Sequence, residues 1–437
     1  MKYYCIGIKG SGMATLAQIL YDLGNSVCGY DDYKGYKFTQ EGIDKRGIEI
    51  FYDSNHELDM DTIVTYSKAF SETHPEIKRL KELGLQFIEY NELMGSLSKK
   101  FKTIGVSGTH GKTTTSTMLF NVLNNTKGSN CFIGDGTGYA NKDNELFVLE
   151  SCEYKKHFLS YKPYYAIVTN IELEHTECYK DIDEIIKTFE EFSNKANTVI
   201  ACGDDLNVRK MNIKNEIIYY GFNDNNDVIA KNVKLTSEGS FFDVYIDGSL
   251  YGSFDIPVFG KHMVLNALAT IIVCNKEGIE KEEIQKYLHT FENAKRRFKI
   301  KEIKDIVIVD DYAHHPTELE VTIQSARQKY PQKEIVAVFL PNTYSRTEAL
   351  LDDFVKALKT ADKAYVMDIH CDRERSEDYP NASSDNIING VPNAEKVSIE
   401  TVDKLLKHKN AVICFMSCAN IYEIINVFEE ELKNKNN

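Results

Sequence analysis

The chain has 437 residues, a formal net charge of −14 and ten cysteines. That length exceeds one compact core and calls for two or three domains; no run approaches the ~18 consecutive apolar residues of a membrane span, and MKYYCIGIKG lacks the charged, apolar and cleavage regions of a signal peptide. A negative chain without a Lys/Arg block is a poor nucleic-acid binder, and cysteines scattered without a CxxC read as buried free thiols of a reducing compartment, so the expectation is a cytoplasmic protein, monomer or weak dimer, that contacts neither nucleic acid nor membrane.

The first ~95 residues alternate strand-like and helix-like runs, a βαβ rhythm. YYCIGI is followed by a helix over Met13–Leu23, then SVCGYDD, GIEIFYD, DTIVTYS, a helix over Pro75–Leu83 and LQFIEY. A second such run starts at FKTIGVS and continues through LFVLES, YYAIVTNI and TVIACGDD. From about 228 to 258 the pattern changes to strands linked by tight turns, with Asp247-Gly248 a hairpin signal. This predicts a small antiparallel sheet added to the second domain. A helix over His262–Glu277 leads to a third βαβ run made of DIVIVDDY, EIVAVFLPN, KAYVMDI and AVICFMSC. The fold class is therefore α/β with three domains in series, placed at 1–97, 98–292 and 293–437: N-terminal Rossmann-like, central nucleotide-loop ATPase with the added sheet, and C-terminal Rossmann-like.

Two glycine-rich loops follow strands and open helices, where backbone N–H groups and the helix dipole can meet phosphate. The first is Gly7-Ile-Lys-Gly10-Ser11-Gly12-Met13; its spacing is not GxGxxG, and a tight turn is the bland alternative. Asp31 and Asp32 end the second strand, where an acidic side chain can accept from a ribose, or can simply be solvated. The second loop, Gly108-Thr109-His110-Gly111-Lys112-Thr113-Thr114, has Val106 six positions before the lysine and so keeps only the compact half of GxxxxGK[ST]. Its chemistry still reads as triphosphate binding: amides around phosphate oxygens, the Lys112 charge, and Thr113 as a ligand for Mg²⁺. A capped helix start does not explain a lysine between glycine and threonine.

GTHGKTTT, with AIVTNIELEH (166–175), GKHMVLNALA (260–269), RRFKI (296–300) and VDDYAHHPTE (309–318), resembles the Mur ligase superfamily. These are ATP-dependent enzymes that form amide bonds in peptidoglycan synthesis. DDYAHHPTE and LPNTYSRTEALLDDF most resemble the alanine-adding branch. The resemblance spans essentially the whole chain in the right order. It implies that the first loop takes the diphosphate of UDP-N-acetylmuramate, the second takes ATP, and the third domain brings a small amino acid, L-alanine.

The same resemblance assigns roles residue by residue. Glu150 and His175 match positions that hold magnesium together with Thr113, while Glu153 and Glu174 are nearby carboxylates of lower rank. His262 and Asn266, at i and i+4 on one helix face, correspond to residues that hold the adenine, and Arg297 to the arginine that reaches the γ-phosphate. Asp311 matches a ribose-binding aspartate, and Tyr312, His314 and His315 would face the amino-acid pocket with Asn342 and Tyr344. Arg346 is the expected partner of the amino-acid carboxylate, by bidentate pairing. Lys112, His175, Arg297 and Arg346 make up the expected catalytic set.

Several positions depart from the alanine-adding pattern: Lys9 in the first loop, TYSKAF (65–70) on the uridine side, Met263, ESCEY (150–154) in place of EADES, Asn342, and SCAN (417–420) in place of a GAGD-like turn. Most fall in the sugar and amino-acid pockets. A ligase adding a ready-made tripeptide to the same nucleotide shares the DDxxHHPT region, but the short first domain and short loops favour a single amino acid. A regulatory ATP-binding paralogue is the reading from another class; the second nucleotide loop and the set Arg297, Asp311 and Arg346 argue against it.

Overall fold

The computed structural model describes residues 1–67, 70–175, 178–371 and 374–434. Lys68 and Ala69 of the TYSKAF stretch lie outside them. Three sheets account for the architecture. The first contains β1 (Lys2–Ile6), β2 (Ser26–Tyr30), β3 (Glu49–Phe51), β4 (Thr62–Tyr66) and β5 (Gln86–Glu89), in the order β3-β2-β1-β4-β5. All its pairings are parallel. Alternation along β1 shows why both faces are covered: Tyr3 and Cys5 pack with Met13, Leu16 and Leu20, whereas Tyr4 and Ile6 pack with Val64, Ile77 and Leu80.

The second sheet has ten strands: β6 (Lys102–Ser107), β7 (Ser129–Ile133), β8 (Thr137–Tyr139), β9 (Leu146–Glu150), β10 (Tyr165–Val168), β11 (Thr198–Cys202), β12 (Glu216–Gly221), β13 (Val228–Leu235), β14 (Ser240–Ile246) and β15 (Ser249–Ile256). Their order is β15-β14-β13-β12-β11-β10-β6-β9-β7-β8. The strands expected as an added sheet join the central one through a short parallel contact, Tyr220 and Gly221 beside Val228 and Ile229. Asp247 and Gly248, at φ 49° and 78°, make the two-residue turn between β14 and β15.

The third sheet contains β16 (Lys299–Ile303), β17 (Ile306–Asp311), β18 (Glu334–Phe339), β19 (Lys363–Val366), β20 (Ala394–Lys396) and β21 (Ala411–Met416), ordered β16-β17-β21-β18-β19-β20. Only β16 runs antiparallel among its pairings. Val307 and Val309 face the helix Pro316–Lys329 through Leu319 and Ile323; Ile306 and Ile308 face Ile424 and Phe428 of the last helix.

The chain forms two compact units. One comprises 1–231, 243–254 and 265–291 and so holds the first sheet and most of the second; the other comprises 232–242, 255–264 and 292–437. Within the first unit, the turn between β7 and β8 sits on the helix Ser11–Asp22. Gln18 Nε2 donates to Gly136 O at 2.8 Å, Arg46 bridges Asp22 (2.7 Å) and Gly138 O (2.9 Å), and a Cβ on Gly138 would stand 2.4 Å from Thr15 O. That helix begins at Ser11, two residues earlier than its glycines predict, with Gly10 as its cap. Within the second unit, Gln328 donates to Thr236 O and Gly239 O and accepts from Gly260 N, which ties 232–264 segments to the third sheet's helix.

Candidate functional site

Parallel sheets collect functional side chains at the carboxyl ends of their strands. Gly7 follows β1, Gly108 follows β6, Glu150 ends β9, Thr169 and Asn170 follow β10, Asp311 ends β17, and Asn342 and Ser417 lie just beyond β18 and β21.

Gly108 and Gly111 have φ of 138° and 82°, and a Cβ on Gly108 would lie 1.9 Å from Thr169 Oγ1, so glycine is required there. Gly111 caps the helix Lys112–Thr126 in the left-handed region without any side-chain cap. The first amides of that helix are thus directed at the loop mouth. Asn170 clamps the loop from beneath: its Oδ1 accepts from His110 N (2.8 Å), and its Nδ2 and Thr169 Oγ1 both donate to His110 O (3.0 and 2.6 Å). Thr109 Oγ1 accepts from Glu172 N (2.8 Å). Asn170 was legible only as part of a quoted stretch; its work depends on a contact 60 residues away in sequence. Asn266 packs against Gly111, and Thr114 is buried behind the loop.

Thr113 Oγ1 donates to Glu150 Oε1 at 3.0 Å, while Glu150 Oε2 accepts from Gly134 N at 2.6 Å. Gly134 O in turn accepts from Ser11 Oγ. The two glycine loops are therefore joined through one residue that no motif marks. The hydroxyl and carboxylate oxygens of Thr113 and Glu150 are hard donors beside a phosphate-type loop and fit Mg²⁺.

The third member of the expected metal set, His175, stands beside Glu153. His175 Nε2 lies 3.7 Å from Glu153 Oε1, and its ring rests on Tyr154 at 4.9 Å. Glu153, ranked lower from sequence, also holds Lys112, whose ammonium donates to both its oxygens (3.2 and 3.0 Å) and to Gly108 O and Thr109 O. Burial pulls the Lys112 pKa down; Glu153, ahead of Cys152 and Glu150, more than reverses this, leaving it above the ordinary lysine value.

In the first loop, Gly7 has φ 78° and lies under Phe70, whose ring would be 2.7 Å from a Cβ; Gly12 faces the Tyr90 hydroxyl in the same way. Gly10 N donates to Gly7 O (2.9 Å), and Met13 is buried. Asp31 is a loop-holding residue in this structure: it accepts from Lys9 N (2.9 Å) and Tyr33 N (3.0 Å). Lys9 is buried, donating to Tyr33 O and Gly35 O and lying 4.5 Å from the Tyr52 ring.

In the second unit, Asp311 accepts from Ala313 N (2.8 Å) and Phe298 N (2.7 Å). Burial raises its pKa to about 6 against the opposing pull of Arg297. Burial, with Arg297 behind it, lowers His262 to about 4. Arg297 lies 3.8 Å from Glu318 and 5.2 Å from the Tyr312 ring, whereas its neighbour Arg296 is buried and donates to Ser417 O (2.8 Å). His315, expected in the pocket, is the cap of the helix Pro316–Lys329: Thr317 N donates to its Nδ1, and Glu318 accepts from His314 N and His315 N, a capping box. His314 Nδ1 sits 3.1 Å from Glu318.

Arg346 Nη1 donates to Asn342 O (3.2 Å), and Asn342 Nδ2 to His370 O (3.2 Å). Glu374, unmarked in the sequence, fixes this turn by accepting from Tyr344 N, Ser345 N and Ser345 Oγ. Thr343 there has φ 71°, a strained value for a β-branched residue. Burial pushes the Cys418 thiol up to about 11, opposed by Arg346 and Arg296 and reinforced by Glu318. The SCAN turn thus shares its surroundings with Arg346, Arg296 and Glu318.

Family models match all three parts in series: "Mur ligase family, catalytic domain" at residues 2–102, "Mur ligase middle domain" at 106–274, and "Mur ligase, glutamate ligase domain" at 296–417. The chain belongs to the Mur ligase family, ATP-dependent ligases of peptidoglycan synthesis. Among solved structures it is similar to UDP-N-acetylmuramate-alanine ligase MurC from Thermotoga maritima, at 24% identity over 100% of both chains with a TM-score of 0.82. It is also similar to a murein peptide ligase from Psychrobacter arcticus 273-4 (22% identity, 99% of each chain, TM-score 0.71). The MurF ligase of T. maritima in complex with ADP matches 86% of this chain and 90% of its own at 18% identity, TM-score 0.65. No helix among the described residues is long and apolar enough to cross a membrane.

Proposed function

We propose that this ligase joins L-alanine to the carboxylate of UDP-N-acetylmuramate through an acyl phosphate. The observation that carries this reading is the bridge Ser11–Gly134–Glu150–Thr113, which ties a second glycine loop to the ATP loop within one compact unit. A carboxylate held by a nucleotide on the first loop would then be delivered toward the γ-phosphate on the second. The full-length likeness to an alanine ligase supports the choice of acceptor.

In the first step a sugar carboxylate oxygen bonds to the γ-phosphorus while the bond to the ADP oxygen breaks. In the second the amino-acid nitrogen adds to the carbonyl carbon, the tetrahedral adduct loses phosphate with the carboxylate-derived oxygen, and the amine proton leaves with it or to solvent. The helix amides after Gly111 and the Lys112 ammonium neutralise the phosphates; to do so Lys112 exchanges Glu153 for phosphate oxygen. Thr113 and Glu150 would hold Mg²⁺, which when bound supplies further charge neutralisation at the transferring phosphoryl group. Arg297, beside Tyr312, would reach the γ-phosphate, Asn266 and His262 would border the adenine, and Arg346 would pair with the amino-acid carboxylate. Asp311 would sit near the ribose, its oxygens already engaged by two backbone amides.

The test is phosphate release from MgATP with UDP-N-acetylmuramate and a panel of L-alanine, L-serine, glycine and the tripeptide. The reading expects L-alanine to give the highest kcat/KM. Highest turnover with the tripeptide would assign the chain to peptide recycling, and release that ignores the sugar nucleotide would remove the ligase reading.

A further inference from the structure

The first loop carries a charged residue that the ligase chemistry leaves unused. Lys9 stands inside residues 7–12 and is only 1% exposed, so its ammonium is withdrawn from water. That ammonium donates to Tyr33 O (2.9 Å) and Gly35 O (3.0 Å) and lies 4.5 Å from the centre of the Tyr52 ring. The residue is fixed at its backbone as well: Lys9 N donates to Asp31 Oδ2 (2.9 Å), and Lys9 O accepts from Thr39 Oγ1 (2.6 Å). Two carbonyls and an aromatic face satisfy the side-chain donors but leave a whole positive charge in place. The Asp31 carboxylate is engaged by two backbone amides, Lys9 N and Tyr33 N, and among the described residues no carboxylate forms an ion pair with the Lys9 ammonium.

A buried charge without an opposite charge costs folding free energy, and a methionine would fill the same space against Tyr52 without that cost. The surroundings share its sign. The helix Ser11–Asp22 opens with no side-chain cap and no acidic residue in its first turn, so its first amides and the positive end of its dipole belong to the same loop. On the segment that Lys9 holds, the Lys37 ammonium lies 5.1 Å from the centre of the Tyr33 ring. A nucleoside diphosphate brings the missing negative charge, and brings more of it than a nucleoside or a monophosphate does. We propose that Lys9 is a specificity-determining residue of the first loop: its buried ammonium acts through space as the counter-charge of the sugar nucleotide's diphosphate and sets the preference over less charged nucleotides. The inference rests on the reading that this loop takes the sugar nucleotide, and adds to it a residue that the glycine pattern does not contain.

The experiment is calorimetric titration of the full-length protein and of Lys9→Gln with UDP, and with uridine and UMP as competitors that UDP displaces, in the absence of ATP and amino acid. Glutamine keeps an amide donor for the two carbonyls and removes the charge. The ratio of variant to parent Kd should stay near one for uridine and rise through UMP to at least about tenfold for UDP. A ratio equal across the three ligands, which general damage to the loop would give, would overturn the proposal. Failure of the parent to bind UDP would remove the sugar-nucleotide reading and this inference with it, whereas a parent and a variant that bind UDP equally well would remove the inference alone. Ligand-free melting curves check that the variant folds; should Lys9→Gln melt early, Lys9→Met, which keeps the apolar stem against Tyr52, is read by the same ratios.

Discussion

At the scale of single residues, Lys112 makes the clearest prediction. Replaced by alanine, it should cost at least about a hundredfold in phosphate release, while UDP-N-acetylmuramate binding, measured by calorimetry, persists on the separate first loop; loss of both together would contradict separate phosphate sites. A second prediction concerns pH. Asp311, raised to about 6 from 3.8, contributes stability that is fully present below pH 4 and lost as pH rises to 6, about 3 kcal/mol in all. His262, lowered to about 4 from 6.5, works oppositely: its contribution is present above 6.5 and lost as pH falls toward 4. The two slopes oppose each other between pH 4 and 6. Asp311→Asn should therefore make stability, measured by urea denaturation at pH 4.5 and 5.5, rise more steeply with pH by about 1.4 kcal/mol per unit; an unchanged slope would show that Asp311 does not titrate in that range. Lys112, Thr113 and Asp311 could be picked out from sequence because their neighbours in the chain define their chemistry. Glu318 and Glu374 could not, since each acts on groups brought to it by the fold, and Glu153 was legible only as a lower-ranked carboxylate, its hold on Lys112 being made by the fold.

Elements turn these residues into a site, and the turn after β7 is the one on which most converges. A Cβ on Gly134 would stand 2.5 Å from Glu150 Oε1, on the carboxylate that also receives Thr113. Gly134→Ala should displace Glu150 and lower kcat about tenfold or more, since a misplacement of this size disrupts reacting geometry; kcat equal to that of the parent would show that the bridge is not used. The capping box on the helix Pro316–Lys329 offers a second check. Glu318→Ala removes the acceptor for His314 N and His315 N and the carboxylate beside Arg297. It should cost about 1 kcal/mol in chemical denaturation and raise the KM for ATP, and a change in KM without any loss of stability would leave the cap without energetic weight. The βαβ periodicity placed β1–β6, β9–β11, β17–β19 and β21, most of which read as apolar runs because both sheet faces are covered, and it missed β7, β8, β12, β16 and β20, of which β7 is fully buried. It missed the start of the helix Ser11–Asp22 because Gly10 and Gly12 read locally as loop, although Gly12 is helical under the Tyr90 hydroxyl.

For the whole molecule, three sheets were legible but the partition into two units was not. The chain passes between the units five times, at 231/232, 242/243, 254/255, 264/265 and 291/292. What draws 232–242 and 255–264 into the second unit is a set of contacts from Gln328, Ser325 and Phe298, none of them announced by composition or spacing. Both glycine loops lie in the first unit, so MgATP and UDP-N-acetylmuramate should each raise the melting temperature of the same transition, as ligands that bind only the folded state do; Lys112→Ala should lose the first shift and keep the second. In the proposed reaction the energy of ATP passes through the sugar carboxylate. With UDP-N-acetylmuramate carrying ¹⁸O in that carboxylate, an acyl phosphate requires one labelled oxygen in each phosphate released during amide formation, as read by mass spectrometry. Phosphate without label would show that the carboxylate is never phosphorylated and would contradict the account.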